Sequence, residues 1–349
     1  MRNPLHPHGS HKPSDTAPIS PERSSTPIAN SRPQLVADIG GTHARFGLIE
    51  CAGTRVTHVK IMRCADFVTP AAAALAYLAD QHVTNRPTSA AFALAVAIDD
   101  GPLKLTNGSW IFERNNLRAV LGLDQLEFLN DFEALALGLP DLDVVDYAQL
   151  GTGIFSRNHV IAVIGPGTGL GLGAVAPTAH GWVTLPAEGG HVTLAANDEL
   201  ESELLRVARQ SHSHVSAERF LSGMGLPFLY RTLAKVRAEA SNETFVAHDI
   251  THEALENNDP LCIATLELFC AMLGSFAGNA ALTLGAKGGV FIGGGVVPKL
   301  GDFFLRSKFR ERFIAKGRYQ PYLEKIATAL ITSSDVALNG AAKALSPKN

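Results

Sequence analysis

Two segments of this chain share one pattern, in which a glycine-rich turn separates two apolar runs. In the first segment, Gly40-Gly41-Thr42 interrupts the apolar residues between 35 and 49. In the second, Gly165-Pro166-Gly167-Thr168-Gly169 interrupts the apolar residues between 159 and 176. Each pattern is typical of two antiparallel strands joined by a tight turn. Because the two segments lie near the starts of the two halves of the chain, we predict a fold that repeats one unit twice.

The other apolar segments alternate between strand-like and helix-like patterns, which indicates an α/β fold. Further strands are predicted at residues 90–98, 126–129 and 289–292. Helices are predicted at residues 71–81, 132–139, 199–209, 216–222, 260–285 and 335–345. The last of these helices is expected to pack back on the first half.

The composition is that of a globular protein with about two domains. Of the 349 residues, 46% are hydrophobic, and the net charge of −3 leaves no basic surface for a nucleic acid. The longest apolar runs, at 71–79 and 90–98, are too short to cross a bilayer, so no membrane span is predicted. The four cysteines form no C-x-x-C pair, which favours a reducing, cytoplasmic compartment. Residues 1–33 contain seven prolines and are predicted to be a disordered arm.

The glycine turns are candidate phosphate-binding loops, because residues without Cβ let backbone N–H groups approach a phosphate closely. Asp38, beside the first turn, has the charge to hold Mg²⁺ directly or through water. Thr42 and Thr168 can donate hydroxyl hydrogen bonds to phosphate oxygens. Gly294, in the glycine run after the strand 289–292, would let a flat adenine ring lie against the backbone. The alternative is that these are ordinary turns.

Two other nucleotide motifs are excluded by pattern. No G-x-x-x-x-G-K-[ST] sequence occurs, so the chain is not a P-loop NTPase. The segment from Gly169 to Ala174 matches G-x-G-x-x-A, but its apolar residues alternate as in a strand, whereas a dinucleotide fingerprint must open a helix.

Polar side chains are concentrated in three otherwise apolar segments, at Asn130-Asp131, Glu188–His191 and Glu218. Carboxylates and amides that bridge adjacent hydroxyls are typical of sugar sites. Asp131 follows a predicted strand, and it is interpreted as the base that accepts the proton of an attacking hydroxyl. An ordinary pKa near ~3.9 would keep it ionised at pH 7. The alternatives are that Asp131 caps the next helix, that Glu218 is a solvated helix residue and that His191 is structural.

The motifs together resemble those of bacterial glucokinases, in the hexokinase/actin-like ATPase superfamily, over residues 35–345. They are 38-DIGGT-42, 130-NDF-132, 165-GPGTGLG-171, 185-LPAEGGH-191, 214-HVSAER-219 and 289-GVFIGGG-295, in the family's order. The resemblance implies an α/β, two-domain actin-like ATPase (ribonuclease H-like) fold with an interdomain cleft. Its small domain would comprise residues 34–141 plus 333–349, and its large domain residues 142–332.

The resemblance also implies an ATP-dependent glucokinase that produces glucose 6-phosphate in glycolysis, with Mg²⁺ as the metal and a homodimeric assembly. Glucose would contact Asn130, Asp131, Glu188, His191 and Glu218, with Asp131 as the general base. ATP would contact Ala37, Asp38, Ile39, Gly40, Gly41, Thr42, Gly165, Gly167, Thr168, Gly169 and Gly294. Asn107 falls in a stretch that lies near the sugar in the family.

Two alternatives stay open at this point. One is a kinase for another hexose or with another phosphoryl donor, such as polyphosphate. The other is a sugar-sensing regulator that keeps the fold without turnover, although the proline-rich residues 1–33 cannot form a helix-turn-helix. The zinc-binding cysteine cluster of the related repressor/kinase family is absent from the sequence, which favours the glucokinases.

Overall fold

The computed structural model of the protein describes residues 32–51, 53–96, 98–99, 101–105 and 110–345. Asn107 and nearly all of the N-terminal arm lie outside these residues. From Arg32 onward the described chain forms one compact unit.

Thirteen strands and eleven α-helices are found in the described part of the chain. The strands are β1 (Gln34–Ile39), β2 (His43–Ile49), β3 (Thr57–Arg63), β4 (Ser89–Leu94), β5 (Leu103–Lys104), β6 (Ile111–Phe112), β7 (Gln125–Asn130), β8 (Tyr147–Leu150), β9 (Ile161–Pro166), β10 (Leu170–Thr178), β11 (Gly181–Leu185), β12 (Gly289–Ile292) and β13 (Thr328–Ile331). The helices are α1 (Pro70–Asp80), α2 (Arg114–Leu121), α3 (Asp131–Gly138), α4 (Glu199–Ala208), α5 (Gly225–Arg237), α6 (Ala247–Leu255), α7 (Pro260–Leu284), α8 (Asp302–Leu305), α9 (Phe309–Ile314), α10 (Gln320–Glu324) and α11 (Val336–Lys343).

Two large sheets repeat one strand order. The first sheet runs β3-β2-β1-β4-β7, with an antiparallel meander of three strands followed by two parallel strands. The second runs β11-β10-β9-β12-β13-β8, which is the same arrangement with β8 added at the edge. The predicted duplication is therefore confirmed at the level of topology.

Helices α3 and α11 share one apolar cluster with both sheets. That cluster joins Ala91 of the first sheet, Val163 of the second, Ala134 of α3 and Ala341 of α11. The prediction that the C-terminal helix packs back on the first half is confirmed, because Leu338 of α11 is wholly buried against strands β1 and β2.

The two helices approach each other closely because glycines face the contact. A Cβ on Gly340 would lie 1.8 Å from the carbonyl oxygen of Ala134, and a Cβ on Gly138 would lie 2.3 Å from that of Val336. Neither contact leaves room for a larger residue.

Most predicted elements are confirmed within a few residues, and the exceptions have physical causes. The segment 216–222 is not a helix: only a 3-10 turn at Ala217–Arg219 forms, and the chain then enters α5. Helices α5 and α6 lie in a region for which no element was predicted. The long apolar helix α7 could cross a membrane by length and composition, but 78% of its most apolar window is buried, as in a core helix.

Candidate active site

The carboxyl ends of three neighbouring strands of the first sheet lie side by side. The register pairs Ile39 of β1 with Leu94 of β4, and Leu94 with Asn130 of β7. Asp38 and Asp131 therefore lie at the same edge, one just before and one just after the ends of their strands. In open α/β sheets this edge is where ligands bind.

Side chains alternate along β1, so Asp38 faces the opposite side of the sheet from Ala37 and Ile39. The Asp38 side chain is 28% exposed and lies 3.9 Å from Arg45, measured between Oδ2 and Nη1. Ala37 and Ile39 face the core and have no exposed surface. A contact of these two residues with ATP stays a prediction, and their side chains face away from Asp38.

Asn130, rather than Asp131, is the N-cap of α3. Its Oδ1 accepts a hydrogen bond from Phe132 N at 2.9 Å, and Glu133 Oε2 accepts one from Asn130 N at 3.2 Å, which completes a capping box. Asn130 Nδ2 donates to Val96 O at 3.2 Å. Asn130 therefore caps α3, and the alternative that Asp131 is the cap is wrong. Asp131 Oδ1 also accepts a hydrogen bond from Phe132 N, at 3.0 Å.

Asp131 is not an ordinary carboxylate. Its pKa is raised to about 7, first by burial and then by the charges of Asp38 and Glu188, while hydrogen bonding to the backbone N–H of Phe132 partly offsets the rise. The prediction of an unshifted pKa is wrong, because composition cannot show that two other carboxylates face this one. A base with a pKa near the working pH is suited to proton transfer. Burial likewise raises the pKa of Asp38, and Arg45 partly offsets this.

Phe132 explains most glycines of the second hairpin. Cβ atoms on Gly165 and Gly171 would lie 2.5 and 2.0 Å from its ring, and one on Gly173 would lie 2.6 Å from its carbonyl oxygen. Gly165 is also buried and within β9. These three glycines therefore make room for Phe132, and a phosphate contact at Gly165 stays a prediction.

The tip of the second hairpin is open to a ligand. Nothing lies within 4 Å of a Cβ on Gly167, and Thr168 is exposed. The carbonyl oxygens of Gly167 and Thr168 accept hydrogen bonds from Gly223 N at 2.7 Å and Met224 N at 3.3 Å, which hold the tip in place. In the first hairpin, Cys64 N similarly donates to Thr42 O at 2.9 Å, and the Thr42 side chain stays exposed.

Backbone pairing between two loops brings the remaining polar residues together. Leu194 N donates to Val215 O at 3.0 Å, and Ala217 N donates to Val192 O at 2.9 Å. This pairing places Glu218 beside the loop that carries Glu188 and His191, which are both exposed.

Glu218 also ties that loop to the second hairpin. Its Oε2 accepts a hydrogen bond from Leu170 N at 2.8 Å, and it would contact any Cβ on Gly169, at 2.3 Å. Glu218 is therefore a partly buried bridging residue, and the alternative of a solvated helix carboxylate is wrong.

A cleft of about 460 Å³ lies against these strand ends. Its lining includes Asp38 and Asp131 on one side and Gly294 and Gly295 on the other. Gly294 adopts a φ of +77°, and a Cβ there would lie 2.4 Å from Pro166 O, so only glycine fits beside the hairpin. Sequence reasoning missed Arg45, which is the one cationic residue in the described lining of this cleft. Its position on β2, directly opposite Asp38, was the available signal.

A second cavity, of about 310 Å³, adjoins the first at Gly295. One wall is α6, with His248, Thr251 and His252, and the other wall includes Val296 and Lys299. The two rings of His248 and His252 stack at 6.2 Å between centroids. No sequence feature indicates this wall, because no helix is predicted at α6.

The carboxylates at this edge suit a hard divalent cation. Among the described residues no group of three or more His, Cys, Asp or Glu side chains could hold a metal. Asp38 supplies one carboxylate, which matches the preference of Mg²⁺ for one or two carboxylates together with phosphate oxygens and water. The arrangement therefore fits a metal that arrives with a phosphorylated substrate.

Comparison with known proteins identifies the family. A sequence model described as Glucokinase matches residues 35–348. The glucokinase of Aromatoleum aromaticum is 45% identical over 320 residues, which are 92% of this chain and 96% of that protein. The bifunctional protein glk of Paraburkholderia xenovorans is 44% identical over 311 residues, but these cover only 48% of that protein, so this chain spans about half its length.

The solved structures agree. The crystal structure of a glucokinase from an Antarctic psychrotroph is 38% identical and superimposes with a TM-score of 0.82, covering 90% of this chain and 99% of that one. The predicted α/β actin-like ATPase fold is thereby confirmed, and this chain belongs to the glucokinase family.

Proposed function

We propose that this protein is an ATP-dependent glucokinase that transfers the terminal phosphoryl group of ATP to the 6-hydroxyl of D-glucose. The observation that carries the proposal is the position of Asp131. It lies at the carboxyl edge of the first sheet and lines the cleft, and the charges of Asp38 and Glu188 both raise its pKa. One carboxylate is thus placed between a candidate phosphate side and a candidate sugar side.

Asp131 would act as the general base. Its carboxylate accepts the proton of the 6-hydroxyl as the oxygen forms its bond to the phosphorus and the bond to ADP breaks. The Phe132 N–H holds Oδ1 at 3.0 Å, which fixes the orientation of the carboxylate. Glucose hydroxyls would be bound by Glu188, His191 and Glu218, whose loops are joined by backbone pairing. Asn130 caps α3, and the second proton of its Nδ2 would donate a hydrogen bond to the sugar.

The donor would lie along the cleft. We propose that its phosphates contact Gly40–Thr42, the tip at Gly167–Gly169 and Arg45, and that its base enters the cavity beside α6. Asp38 would hold Mg²⁺, directly or through water, and the metal would supply charge neutralisation of the phosphates when bound. The two-lobe assignment follows the two sheets, with residues 34–141 plus 333–349 as one lobe and 142–332 as the other. A cytoplasmic homodimer completes the proposal.

A coupled assay tests the function. Glucose, fructose, mannose and N-acetylglucosamine are each offered with ATP, ADP or polyphosphate, with and without Mg²⁺ and EDTA. We expect turnover with glucose, ATP and Mg²⁺, with glucose clearly preferred. Preference for another sugar or donor would replace the assignment with the first alternative. Glucose binding by calorimetry without turnover under any donor would favour the regulator.

The pH dependence of activity follows from Asp131. Only the ionised carboxylate can accept a proton, so kcat/KM is expected to fall about tenfold per pH unit below an apparent pKa of about 7 and to level off above it. The measurement is a pH profile of kcat/KM at constant ionic strength. Asp38→Asn should move the fall to lower pH, because the Asp38 charge contributes to the raised pKa. An activity that stays level down to pH 5 would contradict this assignment.

A further inference from the structure

The two connections between the sheets meet at Asp146. The first connection, residues 142–146, leads from the end of α3 into β8, and the return connection, residues 332–335, leads from β13 into α11. The carbonyl oxygen of Asp146 accepts hydrogen bonds from Thr332 N at 2.9 Å and Ser333 N at 3.1 Å. The carboxylate of Asp146 also accepts from Asp143 N at 2.9 Å. One buried residue, 6% exposed, thus joins both connections.

Arg55 anchors this junction to the first sheet. It lies in the turn between β2 and β3, and its guanidinium donates to both oxygens of Asp146, at 2.9 and 3.3 Å. Nη2 also donates to Asp143 Oδ2 at 2.8 Å. A two-pronged arginine contact to a buried carboxylate fixes orientation as well as distance. The Arg55 hydrogen bond holds the pKa of Asp146 below its usual range, so the pair is charged at neutral pH.

The return connection carries this anchor to the cleft. Ser333, which donates to Asp146, lines the 460 Å³ cleft, and so does the next residue, Ser334. Arg45 donates a hydrogen bond to the carbonyl oxygen of Ser334 and lies 3.9 Å from Asp38. The Arg45 guanidinium is therefore held in part by a backbone segment that Asp146 also holds.

We propose that Arg55 is a positioning residue for the phosphoryl donor, acting from outside the lining of the cleft. Through Asp146 it fixes the return connection, and through Ser334 it fixes Arg45 where the donor phosphates bind. The inference rests on the proposed function only in taking the cleft as the donor site. In the part of the chain that the structure describes, Arg55 forms no hydrogen bond with the loops that carry Glu188 and Glu218, so we expect its effect to be confined to the donor.

The test compares Arg55→Gln and Arg55→Lys with the unchanged protein. We expect Arg55→Gln to raise the KM for ATP by about 3- to 10-fold and to lower kcat, as for other couplings through a packed network. Glucose affinity measured by calorimetry without nucleotide should stay within about twofold. Arg55→Lys keeps the charge but loses the two-pronged contact, so it should restore part of the ATP affinity.

Lys343→Gln is the matched control. It breaks another ion pair at the same end of the molecule, in which Lys343 Nζ lies 2.7 Å from Asp141, but that pair does not involve either connection's hydrogen bonds to Asp146. Its kinetic constants should equal those of the unchanged protein. If Arg55→Gln does not fold, Asp143→Asn removes an exposed partner of Arg55 and should give a smaller change in the same direction.

The outcomes separate the two proposals. An unchanged protein without activity toward glucose and ATP overturns the proposed function. An active unchanged protein whose Arg55 and Asp143 variants have the same KM for ATP overturns the positioning role. An equal rise in the glucose dissociation constant and the KM for ATP also overturns it, because it would indicate general loosening of the fold.

Discussion

Asp131→Asn is expected to lower kcat by roughly 10²- to 10⁴-fold, the usual effect of removing a general base. The amide has the shape of the carboxylate, and its Oδ1 can still accept the hydrogen bond from Phe132 N, so the start of α3 should be preserved. Glucose affinity, measured by calorimetry, should change little, because the substitution removes the proton acceptor and not the sugar contacts of the other loops.

Stability should move in the opposite direction from activity. The pKa of Asp131 is raised in the folded protein, so the folded state holds its proton more tightly than the unfolded state does. Between about pH 4 and pH 7 this group therefore makes folding less favourable as pH rises, and above pH 7 the full cost is present. Asp131→Asn removes that cost, and its Tm at pH 8 should equal or exceed that of the unchanged protein.

Asp124→Asn is the matched control for this substitution. Asp124 is an exposed carboxylate just before the opposite end of the same strand, β7, so it shares the local backbone but not the cleft. It should leave kcat unchanged. Turnover by Asp131→Asn at the rate of this control would remove Asp131 from the role of base.

Gly171→Ala is expected to lower the free energy of unfolding by about 1–3 kcal/mol, or more, as overpacking of a core does. The new Cβ would lie 2.0 Å from the ring of Phe132, which already fills the space between α3 and the second hairpin. Activity should fall as well, because Phe132 follows Asp131 directly and any shift of its ring moves the start of α3. Urea denaturation and the coupled assay measure the two effects.

A second substitution tests whether the ring of Phe132 causes the loss of stability in Gly171→Ala. Phe132→Leu in the Gly171→Ala protein removes the clashing ring edge and should recover part of the lost stability, although each change alone destabilises. Gly167→Ala is the control on the same hairpin, because nothing lies within 4 Å of its Cβ. It should keep the stability of the unchanged protein. Equal stability of Gly171→Ala and Gly167→Ala would disprove the packing role of Phe132.

The sequence predicts most of the fold because its strands and turns are strongly patterned. The β1–β2 and β9–β10 hairpins, the strand end at Asn130 and helix α7 all follow from local alternation or period. Local composition also explains the wrong prediction at 216–222. This segment has the composition of a helix, but its first residues form backbone hydrogen bonds with residues 192–194. Tertiary contacts decide such cases, and local pattern does not contain them.

In the candidate site, too, local pattern predicts some features and tertiary contacts decide the others. Glycine was interpreted as a sign of phosphate contact, and at Gly167 and Gly294 the structure leaves that prediction standing. At Gly165 and Gly171 the glycines accommodate the ring of Phe132, a contact between residues more than thirty positions apart. The raised pKa of Asp131 depends first on its burial and then on the charges of Asp38 and Glu188, which are far from it in sequence. No local feature of the segment 130-NDF-132 carries that information.

The position of α11 has a consequence for how the chain is made. Val36, in the first strand, is buried against Leu338, about three hundred residues later, and Gly340 brings α11 into close contact with α3. During synthesis the first sheet is finished early, but α11, which covers it, leaves the ribosome only after every strand of the second sheet. The second sheet therefore has all of its strands before the first sheet has its complete core, and truncation before α11 would damage the packing of the first sheet first.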